Sequence, residues 1–375
     1  MKIKVLFLFV HLDYGGAEVG LLTTLKNIDK SRFDCSVVSI EKKGRIAEEI
    51  EKLGFKVTCL DSKARLFNIS LIRKIALILE KEKPDILHTS LFYANFFGRA
   101  ASLFCNPRFI VTEERSMYTE KKFYHVILDR ILAGFTDRII VCSRSVLDFT
   151  RKQEGIAEDK FYLIYNAVDA ERFNIPGTKE ALRKKYGFSG EDFIVGTVGS
   201  LIPKKGHRFL IEAVKGLDGQ IPRLKTLIIG EGESRAELTA LARSLGIENK
   251  VVFLGARFDI PGLMKAMDVF VLPSLQEGFP RTLIEAMYTG LPVVASDISG
   301  IPEIVREGED GFLVPPGDPE ALKNRILELY NDKPLRGDFA ARSRKKIESA
   351  YLPKDYVQSL EGLYRELTER RGGPQ

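Results

Sequence analysis

Residues 273–316 read PSLQEGFPRTLIEAMYTGLPVVASDISGIPEIVREGEDGFLVPP, and the rest of the chain is best read outward from them. Two acids, Glu277 and Glu285, stand at either end of the segment Gly278–Ile284. Gly278 and Pro280 keep Glu277 out of regular helix, while the fixed φ and missing N–H of Pro280 suit the first position of a new one. The pattern therefore predicts Glu277 in a loop and Glu285 in the second turn of a helix. Such a helix start presents unpaired backbone N–H groups and the positive end of the macrodipole near Arg281 and Thr282, where a phosphate would settle. The two carboxylates can each accept hydrogen bonds from hydroxyl groups. A diphosphate with a sugar at either end, the chemistry of a nucleotide sugar, fits that layout. By spacing alone the acids also suit an ordinary surface helix, so the continuation decides. Leu291–Ser296 reads as a buried strand, Gly300–Val305 as the next loop and helix start, and Gly311–Pro316 closes the unit.

A chain of 375 residues exceeds the size at which single cores stop growing, so two domains are expected. With 45% hydrophobic and 29% charged residues, the composition is that of a soluble globular protein. The early apolar run Val5–Val10 is too short to span a membrane and is followed by His11 and Asp13 rather than a cleavage site, so it is read as a first strand. Cys35, Cys59, Cys105 and Cys142 are widely spaced and suit buried reduced thiols of a cytoplasmic protein. Four scattered histidines and no Cys-x-x-C pair give no metal constellation.

Short apolar runs alternate with amphipathic ones, the pattern of a parallel α/β sheet with helices on both faces. Lys2–Val10 is a predicted strand feeding the loop His11-Leu12-Asp13-Tyr14-Gly15-Gly16 and a helix from about Ala17. Strand, glycine loop and helix start together make an anion cradle, although a Gly-Gly pair alone is an ordinary tight turn. Further strands are read at 33–40, 56–60, 86–88, 109–112 and 138–142. Phe193–Gly199 repeats the first unit's plan, and its loop Ser200-Leu201-Ile202-Pro203-Lys204-Lys205-Gly206-His207 sets lysines beside a turn, as a diphosphate site or a solvated basic loop would. Strands are then expected at 226–230, 251–254 and 269–273. The hinge is placed at Tyr165–Asp169, between two complete strand–helix series. Near the end, Tyr356, Leu360, Leu363, Tyr364 and Leu367 form one apolar helical face over 354–370, and the Gly372-Gly373-Pro374 tail is expected to be disordered. Residues 1–180 carry 29 Lys/Arg against 24 Asp/Glu, and residues 181–375 carry 28 against 27. That asymmetry suggests an anionic partner in the first half, a phosphorylated lipid acceptor or a membrane surface, with Lys121-Lys122-Phe123-Tyr124 and Leu91–Phe97 as candidate contacts. Core packing of the aromatics and solvation of the lysines explain the same residues. Dispersed basic residues with no interleaved aromatic motif argue against nucleic acid.

The run from Glu277 to Pro316 resembles the donor-site signature of retaining nucleotide-sugar glycosyltransferases of the GT-B fold, family 4 and group 1 type. Gly15-Gly16-Ala17-Glu18 is similar to the N-terminal loop of the same family. The resemblance implies two Rossmann-like doubly wound domains facing a central cleft. An acceptor domain would cover residues 1–175, with a final helix at 354–375 packing back on it, and a donor domain residues 176–353. It implies catalytic roles for Glu277, Lys205, Glu114 and Arg115. Donor contacts would come from Gly15, Gly16, Ser200, Lys205, Arg257, Glu277, Gly278, Phe279, Pro280, Arg281, Thr282, Leu283 and Glu285, with Glu277 on the transferred sugar, Glu285 on the ribose and Gly255-Ala256-Arg257 by the nucleobase. The chain departs from the family at Ser200, where an Arg is usual, and at Glu114-Arg115, near which many relatives place a His. The implied activity is retaining, metal-independent transfer of a sugar, with a UDP-sugar as donor and a glycolipid or polysaccharide precursor of the cell envelope as acceptor. No cofactor is implied, the nucleotide sugar being a co-substrate, and no Asp-x-Asp diphosphate–metal motif is present. The expected location is cytoplasmic, at the inner membrane face where the first domain makes contact. Two other readings share the fold: a UDP-sugar 2-epimerase, which needs acid/base residues of its own, and a non-catalytic nucleotide-sugar-binding subunit, left open by Ser200.

Overall fold

The computed structural model describes residues 2–13, 15–105 and 107–370, so the predicted 372–374 tail lies outside the described residues. The chain divides into two compact units, Met1–Ala167 with Pro353–Gln375, and Val168–Leu352. The division falls within Tyr165–Asp169 rather than at 175, because the short helix Ala170–Phe173 packs on helix Arg281–Tyr288 of the second unit.

The first unit holds seven parallel strands: β1 (Ile3–His11), β2 (Phe33–Lys42), β3 (Lys56–Cys59), β4 (Ile86–Ser90), β5 (Phe109–Glu114), β6 (Arg138–Val141) and β7 (Phe161–Leu163). Their order is β3-β2-β1-β4-β5-β6-β7. The second holds six, β8 (Phe193–Val198), β9 (Leu224–Ile229), β10 (Val251–Gly255), β11 (Val269–Leu272), β12 (Val293–Ser296) and β13 (Phe312–Val314), ordered β10-β9-β8-β11-β12-β13. All pairings are parallel, which requires a crossover after each strand and buries both faces of each sheet. The expected strands recur with ends shifted by one or two residues in either direction, and the three-residue edge strand β7 carries too short a run to be read from sequence. Leu291–Pro316 forms β12 and β13, but 301–305 makes only a turn, with the Ile304 and Val305 amides bonded to the Ile301 carbonyl, and not the start of a helix.

Strand β1 shows how alternation builds two cores from one run. Val5, Phe7 and Phe9 point to one side, where they join Phe33, Leu25 and the final helix Pro353–Arg370 through Tyr356, Leu360, Leu363, Tyr364 and Leu367. Val357 joins that face too, although it lay outside the predicted stripe. Leu6 and Leu8 point to the other side and pack with Leu71, Ile75, Phe97 and Leu132. None of the four cysteines is in a disulfide, with Cys35 and Cys142 buried and Cys59 and Cys105 partly so. Burial pushes the Cys35 thiol up to about 12.

In each sheet the strand order reverses beside the first strand, at β1/β4 and β8/β11. Doubly wound sheets bind ligands outside the carboxyl ends of strands at such switch points. The loop after β8 carries Ser200 and Lys205, and the loop after β11 carries Glu277. Residues over seventy positions apart are thereby brought to one sheet end.

Candidate active site

The loops after β8 and β11 interlock through their backbones. Leu275 donates its amide to the Lys204 carbonyl at 2.8 Å. Gly206 has φ +64°, and a Cβ there would lie 2.0 Å from the Pro273 carbonyl oxygen, so the sequence must supply glycine for the loops to meet. The interlock brings Lys205 to Glu277, Nζ to Oε1 at 2.7 Å, and Ser274 donates its hydroxyl to the same oxygen at 2.7 Å. Glu277 is buried and Lys205 is partly open to solvent. Glu277 lies in the predicted loop.

Helix Arg281–Tyr288 starts one residue later than expected, with Pro280 as the residue before it, and no side chain caps it. Glu285 sits in its second turn, almost fully buried. Burial raises its pKa, and the guanidinium groups of Arg172 and Arg281 pull it part of the way back. Arg172 is on helix Ala170–Phe173 and was not among the residues singled out by sequence. Phe279 is buried and packs tilted on Tyr351, ring centroids 5.7 Å apart, and Leu283 is wholly in the core. Those two side chains hold the turn in place, so any ligand contact they make runs through backbone. Gly278 and Thr282 complete the loop and the first helical turn.

Ser200 is exposed, and its carbonyl accepts from Nε2 of His207 at 3.2 Å. Burial depresses the pKa of His207 to about 4, so the ring is neutral, protonated on Nε2, and fixes the loop without adding charge. Arg257 is bound by both guanidinium nitrogens to Asp259, at 2.8 and 2.7 Å. Its charge is matched locally on the loop after β10.

In the first unit, Gly15 precedes helix Gly16–Asn27 and leaves room for Glu18, whose Oε2 would be 2.2 Å from a Cβ at position 15. Glu18 is buried, with His11 Nδ1 3.4 Å from its Oε1. Burial raises its pKa against the pull of its own backbone amide, His11 and Arg115. This acid stands inside the glycine tetrad, where attention to the glycines passed over it.

The side chains of Glu114 and Arg115 lie in two separate networks of the first unit. Arg115 is committed inside the unit: Nε and Nη2 donate to Glu113 at 2.9 and 2.8 Å, Nη1 to Asn166 Oδ1 at 2.6 Å, and Nη2 to the Tyr356 hydroxyl at 2.8 Å. His88 Nε2 also reaches Glu113 at 3.2 Å. Burial opposes ionisation of Glu113, but Arg115 and His88 outweigh it and hold the carboxyl well below the usual range. Glu114, on the adjacent strand position, points into a second buried cluster with Arg99, Lys121, Asp129 and Glu154. Asn95 donates to one of its oxygens at 2.9 Å, and the other is buried without a partner. Burial, with Glu154 and Asp129 nearby, raises Glu114 to about 7 against the pull of Lys121 and Arg99. Both side chains are engaged inside the first unit, and Glu113, Asn166 and His88 are the network members that sequence reading missed. Among the described residues there is no group of three or more His, Cys, Asp or Glu arranged to hold a metal ion.

Comparison with known proteins bears on both units. Residues 14–172 match the family described as Glycosyltransferase Family 4, and residues 178–346 match Glycosyl transferases group 1. A UDP-Gal:alpha-D-GlcNAc-diphosphoundecaprenol alpha-1,3-galactosyltransferase of Escherichia coli is 30% identical, over 81% of this chain and 84% of that protein. The capsular polysaccharide biosynthesis glycosyltransferase CapM of Staphylococcus aureus is 25% identical, over 92% and 93%. The crystal structure of Anabaena HepE in complex with UDP-glucose superposes with a TM-score of 0.85 at 26% identity, covering 96% of this chain and 99% of that one. With two parallel α/β units and matches across both, the chain belongs to the family 4, group 1 glycosyltransferases of the GT-B fold.

Proposed function

We propose that this chain is a retaining glycosyltransferase that moves a sugar from a UDP-sugar to a lipid-linked or saccharide acceptor during synthesis of a cell-envelope glycan, without a metal ion. The observation that carries the reading is the Lys205–Glu277 pair at the β8/β11 switch point, beside a helix start that no side chain caps. Lys205, Arg281 and the first-turn amides receive the negative charge of the departing diphosphate, where preorganised donors are worth most. Glu277 Oε1 already accepts two bonds, so Oε2 is assigned to a hydroxyl of the transferred sugar, and Glu285 to the ribose hydroxyls. Held this way, Glu277 positions the sugar and is not its nucleophile. Retention follows from attack on the face the diphosphate leaves: the acceptor oxygen bonds to the anomeric carbon, the bond to the diphosphate oxygen breaks, and a donor phosphate oxygen takes the acceptor proton. The named donor and acceptor of the Escherichia coli relative, UDP-Gal and a diphosphoundecaprenol-linked sugar, and the UDP-glucose bound by HepE, support this choice of substrates.

The test is transfer of radiolabelled sugar from UDP-glucose or UDP-galactose to a short-chain polyprenyl diphosphate N-acetylglucosamine, with product anomer read by NMR and with chelator added in parallel. An α-linked product that still forms in EDTA is expected. Transfer abolished by chelator and restored by Mg²⁺ would place the charge neutralisation on a metal held by the donor's phosphates. A β-linked product would refute retention, and no transfer from any UDP-sugar would refute the whole reading.

A further inference from the structure

A pocket of about 540 Å³ opens in the second unit where β8 and β11 begin, at the sheet end opposite to the loops that carry Lys205 and Glu277. Strand β8 has six residues, so at about 3.3 Å per residue the two ends are on the order of 20 Å apart and no small ligand reaches both. Helix Lys179–Lys185 brings Lys179 and Arg183 to the pocket, and helix Lys333–Ala350 brings Lys333 and Arg336. Between them lie the rings of Phe193 and Tyr330, edge to face with centroids 5.0 Å apart. Phe193 is buried as the first residue of β8, while Tyr330 is half-buried. The volume is in the range of small-molecule sites and is several times what a single oxyanion fills.

The charged groups around this pocket are not matched alike. Asp268 is committed to the fold: one oxygen accepts from Lys179 Nζ at 2.7 Å, and the other accepts from Arg183 and from the Ile194 amide, the latter at 2.7 Å. Arg183 is fully engaged, since it also donates to the Ala266 and Gly190 carbonyls at 3.0 Å each. Asp192 accepts the Ser189 amide at 2.7 Å and pairs with Arg223. Arg336 differs. Its Nη1 donates to the Leu329 and Tyr330 carbonyls at 2.6 and 3.0 Å, and its guanidinium lies 5.3 Å from the centre of the Phe193 ring. Among the described residues no carboxylate forms an ion pair with Arg336 or with Lys333. Burial lowers the pKa of Lys179; Asp268 acts against that, and the guanidinium groups of Arg183 and Arg336 add to the fall. Lys179, Lys333 and Arg336 are thus three cations with one carboxylate between them, and Arg183 occupies that carboxylate too. Such an excess at the mouth of a half-buried pocket suits a phosphate dianion. The two acids left over, Glu180 and Glu191, are exposed at the rim and can accept hydroxyl groups. We propose that this pocket is a second ligand site, for a phosphorylated sugar, with the phosphate on Lys179, Lys333 and Arg336, the sugar ring against Tyr330 and its hydroxyls on Glu180 and Glu191. The inference stands on the geometry of this sheet end and does not depend on the transfer reaction proposed above.

The experiment is isothermal titration calorimetry of the full chain with glucose 1-phosphate, with inorganic phosphate and with glucose. Glucose 1-phosphate is expected to bind about tenfold or more tightly than either of the others, because phosphate and sugar ring both contribute. Lys333→Glu should weaken that binding by about tenfold or more. Lys333 is exposed, so the variant's thermal melt should match wild type. Its reversed charge is screened from the loops after β8 and β11, which lie more than the Debye length of about 8 Å away at physiological salt. Glucose 1-phosphate could also enter those loops, so Lys205→Ala is titrated in parallel and should keep one equivalent of binding. Binding lost in Lys205→Ala and kept in Lys333→Glu would place the ligand at the loops and overturn the second site. Equal affinity for inorganic phosphate and glucose 1-phosphate would reduce it to an adventitious ion only, and no binding of glucose 1-phosphate by wild type would overturn it outright. Absence of sugar transfer would count against the function proposed above and would leave these titrations unaffected.

Discussion

Glu277 and Glu285 lie on one short segment in unlike surroundings, and the difference sets what each substitution should do. Glu277 is joined to Lys205 and Ser274, and under the proposed roles charge develops beside this group, so Glu277→Ala and Lys205→Ala should each lower kcat by about 10²-fold, the usual loss of one preorganised donor or its support. Glu285 is buried inside the helix and, as assigned, touches ribose in ground and transition states alike, so Glu285→Ala should raise KM more than it lowers kcat. Steady-state kinetics on the three variants, with equal small effects from both acids, would contradict the division of roles. Glu114 gives a stability prediction. Below its ordinary value of 4.5 the carboxyl is protonated folded or unfolded; between 4.5 and about 7 the unfolded chain ionises it while the fold keeps the proton, so stability is lost as pH rises through that window. At about 1.4 kcal/mol per pH unit, Glu114→Gln should gain on the order of 2–3 kcal/mol over wild type by pH 7 and nothing near pH 4, measured by denaturant melts. The loop position of Glu277 and the helical position of Glu285 could be read from sequence because glycine, proline and spacing fix their local geometry. Glu114 and Arg115 could not, since their fate depends on Lys121, Asp129, Asn166 and Tyr356, which only the fold brings near.

Elements, more than single side chains, place the loops after β8 and β11. Because Gly206 combines positive φ with a 2.0 Å approach to Pro273, Gly206→Ala imposes about 1 kcal/mol of backbone strain and must also push the loops apart. The expected outcome is a fall in both Tm and kcat, with kcat falling as far as in Lys205→Ala; unchanged kcat with lowered Tm would show that the interlock serves folding alone. Strands were legible wherever both faces are buried, as in Val5–Phe9 and Val269–Leu272, since continuous apolar runs have no other good fate. Ile301–Val305 resembled a helix start in composition, and the structure closes it as a single turn with Ile301, Ile304 and Val305 buried, a tertiary demand that local pattern does not carry.

At the scale of the molecule, the chain leaves the first unit at Ala167 and returns to it at Pro353. Helix Pro353–Arg370 buries Tyr356, Val357, Leu360, Leu363, Tyr364 and Leu367 against the first sheet. Six such side chains, at about 1.5–3 kcal/mol each, contribute roughly 10 kcal/mol or more, comparable to the whole stability of a typical domain. A fragment of residues 168–352 should therefore fold by itself with a cooperative melt, while residues 1–167 alone should aggregate or remain molten by circular dichroism and dye binding. A cooperative melt from 1–167 would show that the returning helix is dispensable. The same return reorders events in time. Domains made first on the ribosome generally fold first, at synthesis rates of roughly 5–20 residues per second. Here the half that is translated first must wait on the order of ten seconds or longer, its sheet face uncovered, until the last helix emerges. The half translated second can complete its own core before then, so birth order and folding order are reversed, and the nascent N-terminal half is the part of this protein that most needs a chaperone.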